Sequence, residues 1–247
     1  MRKIDRTGES KISTRGLKMT VIRYTNQKDM DVEFENGYIA KNVHYANFLR
    51  GLIKNPYHPS VFDIGYIGNG DYPSWRNGEY TPQYRTWQNM LERCYTKKRH
   101  AGNMAYIGCE TCSKWHNFQV FAKWRDENYY QIPGERICLD KDILNKGNRI
   151  YSPENCMFVP QKINLIFRNL NDGEGHYTGV VYDERYKRFI AHTSKNGKPN
   201  HLGQRNTPEE AFLLYKKAKE EYIRTTADAY RDVIPERVYE ALYKYAV

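Results

Sequence analysis

The sequence has no apolar run close to the roughly 20 residues that a membrane-spanning helix requires. Its first residues, MRKIDRTGESKIS, are polar and are not followed by the apolar stretch of a secretory signal. We therefore expect a cytoplasmic protein without a membrane partner. Cysteine is also scarce, and the odd number makes a poor disulfide framework: Cys94, Cys109, Cys112, Cys138 and Cys156.

Glycine-rich phosphate-binding motifs of the P-loop and Rossmann types are missing too, so nucleotide-driven chemistry is not indicated. What the chain has in excess is positive charge. Its 39 Lys and Arg outnumber 29 Asp and Glu, which gives a net charge of +10. Such an excess favours a polyanionic partner, because basic side chains neutralise phosphates and release their counterions. Hydrophobic residues make up 40% of the chain, enough to build folded cores.

Periodicity and composition predict a multidomain α+β protein. Val32 and Phe34 alternate with charged residues around an Asn-Gly turn, which is typical of strands. Gly, Pro, Asn and Asp then crowd the stretch 55–82 and mark a boundary. The predicted segments are a flexible basic arm at 1–18, a small β-rich domain at 19–72, a ββα domain with flanking helices at 73–170, a three-stranded antiparallel sheet packed on one helix at 175–225, and a C-terminal helix at 226–247.

The segment 175–225 predicts three short strands followed by a helix. Thr207 can cap the helix, Pro208 suits its first position, and Glu210 completes a capping box. Because side chains alternate along a strand, Phe189 and Ala191 should face the helix. The open face should then carry Arg188, Ile190, His192 and Ser194, with Arg185 and Lys187 on its approach.

At these residues the sequence resembles the ethylene-response-factor (APETALA-type) DNA-binding domain, in its phage and bacterial branch. The match runs through TGVVYDERYKRFIAHT and HLGQRNTPEEAFLLYKKA. The plant pattern has Arg and Trp at several contact positions where this chain has Thr, Val, Ser and His, so the resemblance implies double-stranded DNA binding without the plant site preference. It assigns DNA contact to Thr178, Val181, His192, Ser194 and His201, and Lys195 joins the predicted set with Arg185, Lys187 and Arg188.

A second resemblance covers residues 84–169. The run LDKDILNKGNRIYSPENCMFVPQKINLIFRN, behind the blocks WQNMLERCY and GCETCSKWHNFQVF, resembles the phage branch of the HNH (His-Me finger) nucleases. This resemblance implies a mobile or homing endonuclease ancestry and one magnesium or manganese ion. It places metal ligands at Asp140 and Asn164, the general base at Lys141 and a loop-orienting amide at Asn155.

Lys141 conflicts with catalysis, because a lysine ammonium with an ordinary pKa of about 10.4 cannot accept a proton at neutral pH. Two interpretations stay open. In the first, a decayed ββα unit uses Lys141, Lys146 and Arg149 to hold phosphates. In the second, an active nickase takes its base from Asp142 or His116.

The spacing of Cys109 and Cys112 fits half of a zinc site, but a lone Cys-x-x-C pair favours buried structural thiols, so zinc is not expected. Double-stranded DNA binding without efficient cutting is the leading hypothesis. Metal-dependent nicking is the enzymatic alternative. A protein-binding accessory factor is the third, and it predicts basic charge spread evenly over the surface. The oligomeric state is left open.

Overall fold

The computed structural model describes residues 4–96, 106–167, 177–195 and 198–247. The chain is a mixed α+β protein whose larger sheets are antiparallel. It divides into two compact units, residues 1–96 with 113–123 and residues 97–112 with 124–247. In the described ranges, no helix has the length and apolar character to cross a membrane.

The first unit begins with a four-stranded sheet in chain order. Its strands are β1 (Ser10–Ile12), β2 (Lys18–Asn26), β3 (Asp29–Phe34) and β4 (Ile39–Val43), and α1 (Tyr45–Leu49) follows. Val32 and Phe34 are buried whereas Glu33 is exposed, so the predicted alternation is confirmed. The buried side chains of this sheet pack with Tyr45 and Phe48 into one core.

The segment expected to be a flexible arm contains an edge strand. Strand β1 pairs with β2, with Ser10 opposite Thr20. Before this strand, Arg6 donates a hydrogen bond to the Tyr45 hydroxyl at 2.6 Å, and the same hydroxyl donates to Glu9 at 2.9 Å. These contacts tie the described residues of the segment 1–18 to the core that the sheet forms with α1.

The rest of the first unit is a hairpin and helices. Strands β5 (Trp75–Arg76) and β6 (Glu79–Tyr80) pair, and α2 (Pro82–Tyr95) follows with the side chain of Thr81 as its N-cap. A 3-10 turn at Ser113–His116 leads into α3 (Phe118–Asn128), which runs from the first unit into the second. Flanking helices predicted within 73–170 are thus present.

The second unit contains the predicted strand, loop, strand and helix. Strand β8 (Ile137–Asp140) pairs antiparallel with β10 (Met157–Pro160), and α4 (Gln161–Ile166) starts at the next residue. The loop between β8 and β10 contributes β9 (Ile150–Tyr151), which pairs in parallel with β7 (Glu110–Thr111). Both flanking strands and the helix contribute to the core of this unit.

The C-terminal part forms the predicted antiparallel sheet on one helix. The strands are β11 (Val180–Asp183), β12 (Arg188–Lys195) and β13 (Lys198–Arg205), followed by α5 (Pro208–Ala229) and α6 (Glu236–Tyr243). The Thr207 hydroxyl accepts a hydrogen bond from the Glu210 backbone N–H at 3.3 Å, as the capping signal predicts. Val180, Ala191 and Ala211 form the small core between sheet and helix.

Helix α5 joins two cores. Its first half packs on the sheet, whereas Ile223 and Ala227 in its second half lie in one core with Val159 of β10 and Ile163 of α4. Helix α6 completes this core with Val238 and Leu242. The segments predicted at 175–225 and 226–247 lie in the same compact unit as the strands and helix of the ββα segment.

Candidate nucleic-acid interface

The open face of the C-terminal sheet follows from strand register. Val181 pairs with Ile190, and His192 pairs with His201. Cross-strand partners lie on the same face, and residues two apart on β12 do so as well. Fully buried Ala191 marks the opposite, helix-covered face. The open face consequently carries Val181, Arg188, Ile190, His192, Ser194 and His201.

A β-bulge sets which residue of β13 faces His192. Ala191 pairs with Gly203, yet the next residue of β12 pairs with His201, so Leu202 is the extra residue. Leu202 packs against the small core instead of taking the position opposite His192. The bulge thus brings two histidines together as direct cross-strand neighbours. The bulge was not predicted from the sequence. Gly203, which adjoins it, has a φ of +136°.

The turn between β11 and β12 presents the basic side chains. The Asp183 carboxylate accepts hydrogen bonds from the backbone N–H groups of Arg185 at 2.9 Å and Tyr186 at 3.2 Å, which fixes the turn. Lys187 occupies the left-handed region with a φ of +50°. Arg185, Lys187 and Arg188 are all exposed, and the Arg188 guanidinium donates to the side chain of Asn206. The turn and the first residue of β12 therefore present three exposed basic side chains close together in the chain.

The structure gathers most of the residues predicted to contact DNA. Val181 is 51% exposed, and His192, Ser194 and His201 lie on the same face. Thr178 lies in the turn that precedes β11, next to Gly179, whose carbonyl accepts the His192 N–H at 2.8 Å. The side chain of Lys195 lies outside the described part of the chain.

The second candidate site is the loop between β8 and β10. Lys141 is only 5% exposed, and its Nζ donates to the Asp142 carboxylate at 2.6 Å and to the Asn148 carbonyl at 2.7 Å. The phosphate-holding interpretation requires an accessible ammonium at Lys141. This ammonium is instead buried and bonded to two oxygens of the loop. Lys146 and Arg149 are both exposed, and Arg149 also donates to the carbonyl of Ile107.

Asp140 is also directed toward the loop. One oxygen of its carboxylate accepts hydrogen bonds from the backbone N–H groups of Asp142 and Ile143, both at 2.8 Å. The side chain is 8% exposed, and burial raises its pKa above the usual value. Asn164, the second implied ligand, is a half-buried residue of α4. Magnesium needs several oxygen ligands, and in the described ranges no three His, Cys, Asp or Glu side chains are grouped to hold a metal. A pair of one carboxylate and one amide lies outside such a grouping, so ligation of magnesium or manganese by Asp140 and Asn164 stays a prediction.

Asn155 forms hydrogen bonds with two other asparagines of the loop between β8 and β10. Its amide nitrogen donates to the Asn148 side chain at 3.2 Å, and its amide oxygen accepts from Asn145 at 2.8 Å. Asn148 in turn donates to the carbonyls of Lys141 and Ile150. The HNH resemblance implied a loop-orienting role for Asn155 only. The parts played by Asn148 and Asn145 were not predicted, although both belong to the polar run NKGN.

The remaining predicted candidates have ordinary environments. Cys109 and Cys156 are buried, and burial raises the pKa of both thiols. Cys112 is half-buried, and within the described residues, which include every cysteine, no disulfide forms. His116, a candidate base, lies in the 3-10 turn of the first unit. Asp142, the other candidate, is ion-paired with Lys141.

Together the fold and these sites define an α+β chain with an open, helix-backed antiparallel sheet. No protein-family model matches the chain, and no curated protein or solved structure matches it either.

Proposed function

We propose that this protein binds double-stranded DNA through the open face of β11, β12 and β13. The observation that carries the proposal is the register of this sheet, which aligns Val181, His192, Ser194 and His201 on one face beside the basic turn. The resemblance to the ethylene-response-factor domain assigns DNA contact to those same four positions.

The chemistry of this face suits a DNA groove. Hydroxyl and imidazole groups can bond base edges, and Val181 offers an apolar contact to a thymine methyl group. Arg185, Lys187 and Arg188 are placed to contact phosphates, which position a protein on the duplex. Helix α5 covers the opposite side of the sheet, so the open face is available to a partner. The net charge of +10 supports a polyanionic partner.

We infer further that the ββα segment, in which we retain the HNH-like interpretation, contributes to binding without efficient cutting. Its Lys141 ammonium and Asp140 carboxylate are both engaged within the loop. An ammonium bonded in this way is not placed to activate water, and one oxygen of the Asp140 carboxylate is already bonded to the backbone. Lys146 and Arg149 are the exposed cations of this loop that can reach a phosphate.

Duplex binding is tested by fluorescence anisotropy over a series of salt concentrations. Arg188→Ala should weaken binding and lower the slope of log affinity against log salt by about 1, because one phosphate contact is lost. Arg224→Ala is the matched control, since Arg224 is a half-exposed arginine of α5 and lies outside the open face. If no duplex fragment is bound at low salt, or if both variants lose the same affinity, the proposal is wrong.

Cutting is tested separately with supercoiled plasmid in magnesium or manganese. We expect the plasmid to remain supercoiled. A nicked product that disappears in Asp140→Ala and Asn164→Ala would instead establish the nuclease. A protein without DNA affinity in either assay would leave the accessory-factor hypothesis.

A further inference from the structure

The open face of the C-terminal sheet holds two histidines side by side, His192 of β12 and His201 of β13. They are direct cross-strand partners and lie on the face that α5 does not cover. His192 is half-buried and His201 is exposed. Because β13 is an edge strand of this sheet, one side of the pair is open to solvent. We name these two residues the histidine pair.

The hydrogen-bond pattern of the sheet brings the two side chains close together. The His192 N–H donates to the Gly179 carbonyl, on the side of β11, at 2.8 Å. The N–H and C=O of one residue in a strand point to the same neighbouring strand, so those of His192 point away from β13. The histidine pair is therefore a non-hydrogen-bonded pair, in which the Cα atoms are about 4.5 Å apart and the side chains approach most closely.

The surroundings leave both imidazoles available to a cation. Within the described part of the chain, neither imidazole makes a hydrogen bond or an ion pair. The adjoining cross-strand pairs on the same face are Ile190 with Gln204 and Ser194 with Pro199, and none of these residues is charged. A cation that approaches the histidine pair thus meets no like charge from the adjoining pairs.

Two neighbouring imidazoles suit a transition-metal ion. Imidazole nitrogen is a good ligand for zinc, nickel and copper, whereas magnesium and calcium prefer oxygen ligands. A metal bound to imidazole lies about 2.0–2.1 Å from the ring nitrogen, so one ion can bridge two rings on adjacent strands. The strands also fix the backbone of both ligands before the ion arrives, which favours a defined site.

We propose that the histidine pair binds one divalent transition-metal ion of the zinc and nickel class, with water in the remaining coordination positions. Two protein ligands make an open, exchangeable site, unlike the closed four-ligand set of a structural zinc. The site does not depend on the DNA binding proposed for the same face. Imidazoles that hold a metal cannot bond base edges, so the ion should compete with a duplex.

Nickel chloride titrated into the full chain tests the site by calorimetry and by the melting temperature. Nickel should bind saturably and raise the melting temperature, because a ligand that binds the folded chain stabilises it. His192→Gln and His201→Gln should each lose both signals, since each variant keeps one imidazole of the pair. Magnesium should give neither signal in the wild type. Melting temperatures in EDTA show whether each variant is folded.

A second measurement needs no variant. Nickel is paramagnetic, so it should broaden the imidazole NMR signals of His192 and His201 in the wild type before those of His44. His44 is an exposed histidine of the first unit whose side chain does not cap α1. His44→Gln is accordingly the matched control and should bind nickel as the wild type does.

The outcomes separate the metal site from the sheet proposal. If nickel binding persists in both open-face variants, or is lost equally in His44→Gln, the metal lies elsewhere and the metal site is wrong. Duplex binding by a chain that does not bind nickel would also overturn the metal site but leave the sheet proposal intact. Nickel binding that requires both histidines, in a chain without duplex affinity, would do the reverse. Where both activities are present, nickel should weaken duplex binding by the wild type and not by His201→Gln.

Discussion

Lys141 and Asn148 bond to each other in both directions across the loop that joins β8 to β10. The Lys141 ammonium donates to the Asn148 carbonyl at 2.7 Å, and the Asn148 side chain donates to the Lys141 carbonyl at 3.0 Å. In the HNH-like interpretation that we propose, Lys141 takes the position of the general base. In this chain the cation closes the loop, which argues for a structural use of that position.

Replacing Lys141 by Met should therefore lower the free energy of unfolding, by about 1–3 kcal/mol, because two buried or half-buried oxygens lose their donor. Lys146→Met is the matched control: Lys146 is exposed in the same loop, and its loss should change stability by less than about 0.5 kcal/mol. Urea denaturation measures both. Equal stability of the two variants, combined with weaker DNA binding by Lys141→Met, would restore the phosphate-holding interpretation.

Two substitutions of Asp140 separate the effect of its negative charge on stability from the effect of its hydrogen bonds. Its carboxylate oxygen accepts two backbone hydrogen bonds, which an asparagine oxygen can also accept. Burial raises the pKa of Asp140, so ionisation opposes folding at neutral pH. Asp140→Asn should be at least as stable as the wild type at pH 7, whereas Asp140→Ala should lose about 1–3 kcal/mol.

The pH dependence of this comparison has a definite sign. A carboxyl group whose pKa is raised on folding stabilises the protein below its unfolded pKa and loses that contribution as pH rises. The advantage of Asp140→Asn over the wild type should therefore be largest at neutral pH and shrink as the solution is acidified. Thermal melts at a series of pH values check this, and an advantage that grows on acidification would contradict it.

Arg23 and Asp31 predict the opposite behaviour in the N-terminal sheet. Arg23 bonds the Asp31 carboxylate at 2.7 Å and lowers its pKa from 3.8 to about 2. Such a group stabilises the fold above its unfolded pKa and loses this contribution as pH falls toward its folded pKa. As the pH is lowered from 3.8 to about 2, the melting temperature of the wild type should fall more steeply than that of Arg23→Gln.

Arg85→Gln provides the control for this measurement. It removes an exposed ion pair with Glu79, which contributes little to stability, so its acid profile should match that of the wild type. Parallel profiles for the wild type and Arg23→Gln would show that the Arg23 contacts do not control the titration of Asp31.

Local signals in the sequence were sufficient for most elements. Val32 and Phe34 alternate with charges on β3, and Thr207 with Pro208 gives the start of α5. The open-face residues of β12 were also predictable, because alternation depends only on neighbouring positions. The resemblance to known domains contributed the interpretation of that face as a DNA contact, which the proposed assays test.

Features that depend on distant contacts were not predictable in this way. Ile223 and Ala227 continue the apolar stripe of α5, but nothing local indicates that they pack on β10 and α4. Burial of Lys141 depends on a carbonyl seven residues later in the loop. The exposed Trp75 lay in a stretch interpreted only as a boundary, since exposure of an aromatic ring cannot be inferred from composition.

A substitution at Gly179 should change both the stability of the candidate interface and its binding to duplex DNA. It has a φ of +75°, and a Cβ atom there would lie 2.1 Å from the ring of Tyr215 on α5. Gly134 has nearly the same φ, +73°, and an added Cβ would have no neighbour within 4 Å. An alanine at Gly134 therefore tests backbone strain alone, whereas an alanine at Gly179 adds a clash with the helix that packs on the sheet.

Gly134→Ala should cost about 1–2 kcal/mol of unfolding free energy, the penalty for a side chain in the left-handed region. Gly179→Ala should cost a further 1–3 kcal/mol or so, because the ring of Tyr215 must move. Since the Gly179 carbonyl also accepts the His192 N–H at 2.8 Å, displacement of this strand should weaken duplex binding in Gly179→Ala alone. Unfolding curves and anisotropy measure the two effects. Equal losses of stability in both variants would mean that Tyr215 yields freely, and the sheet would then not be held rigidly by α5.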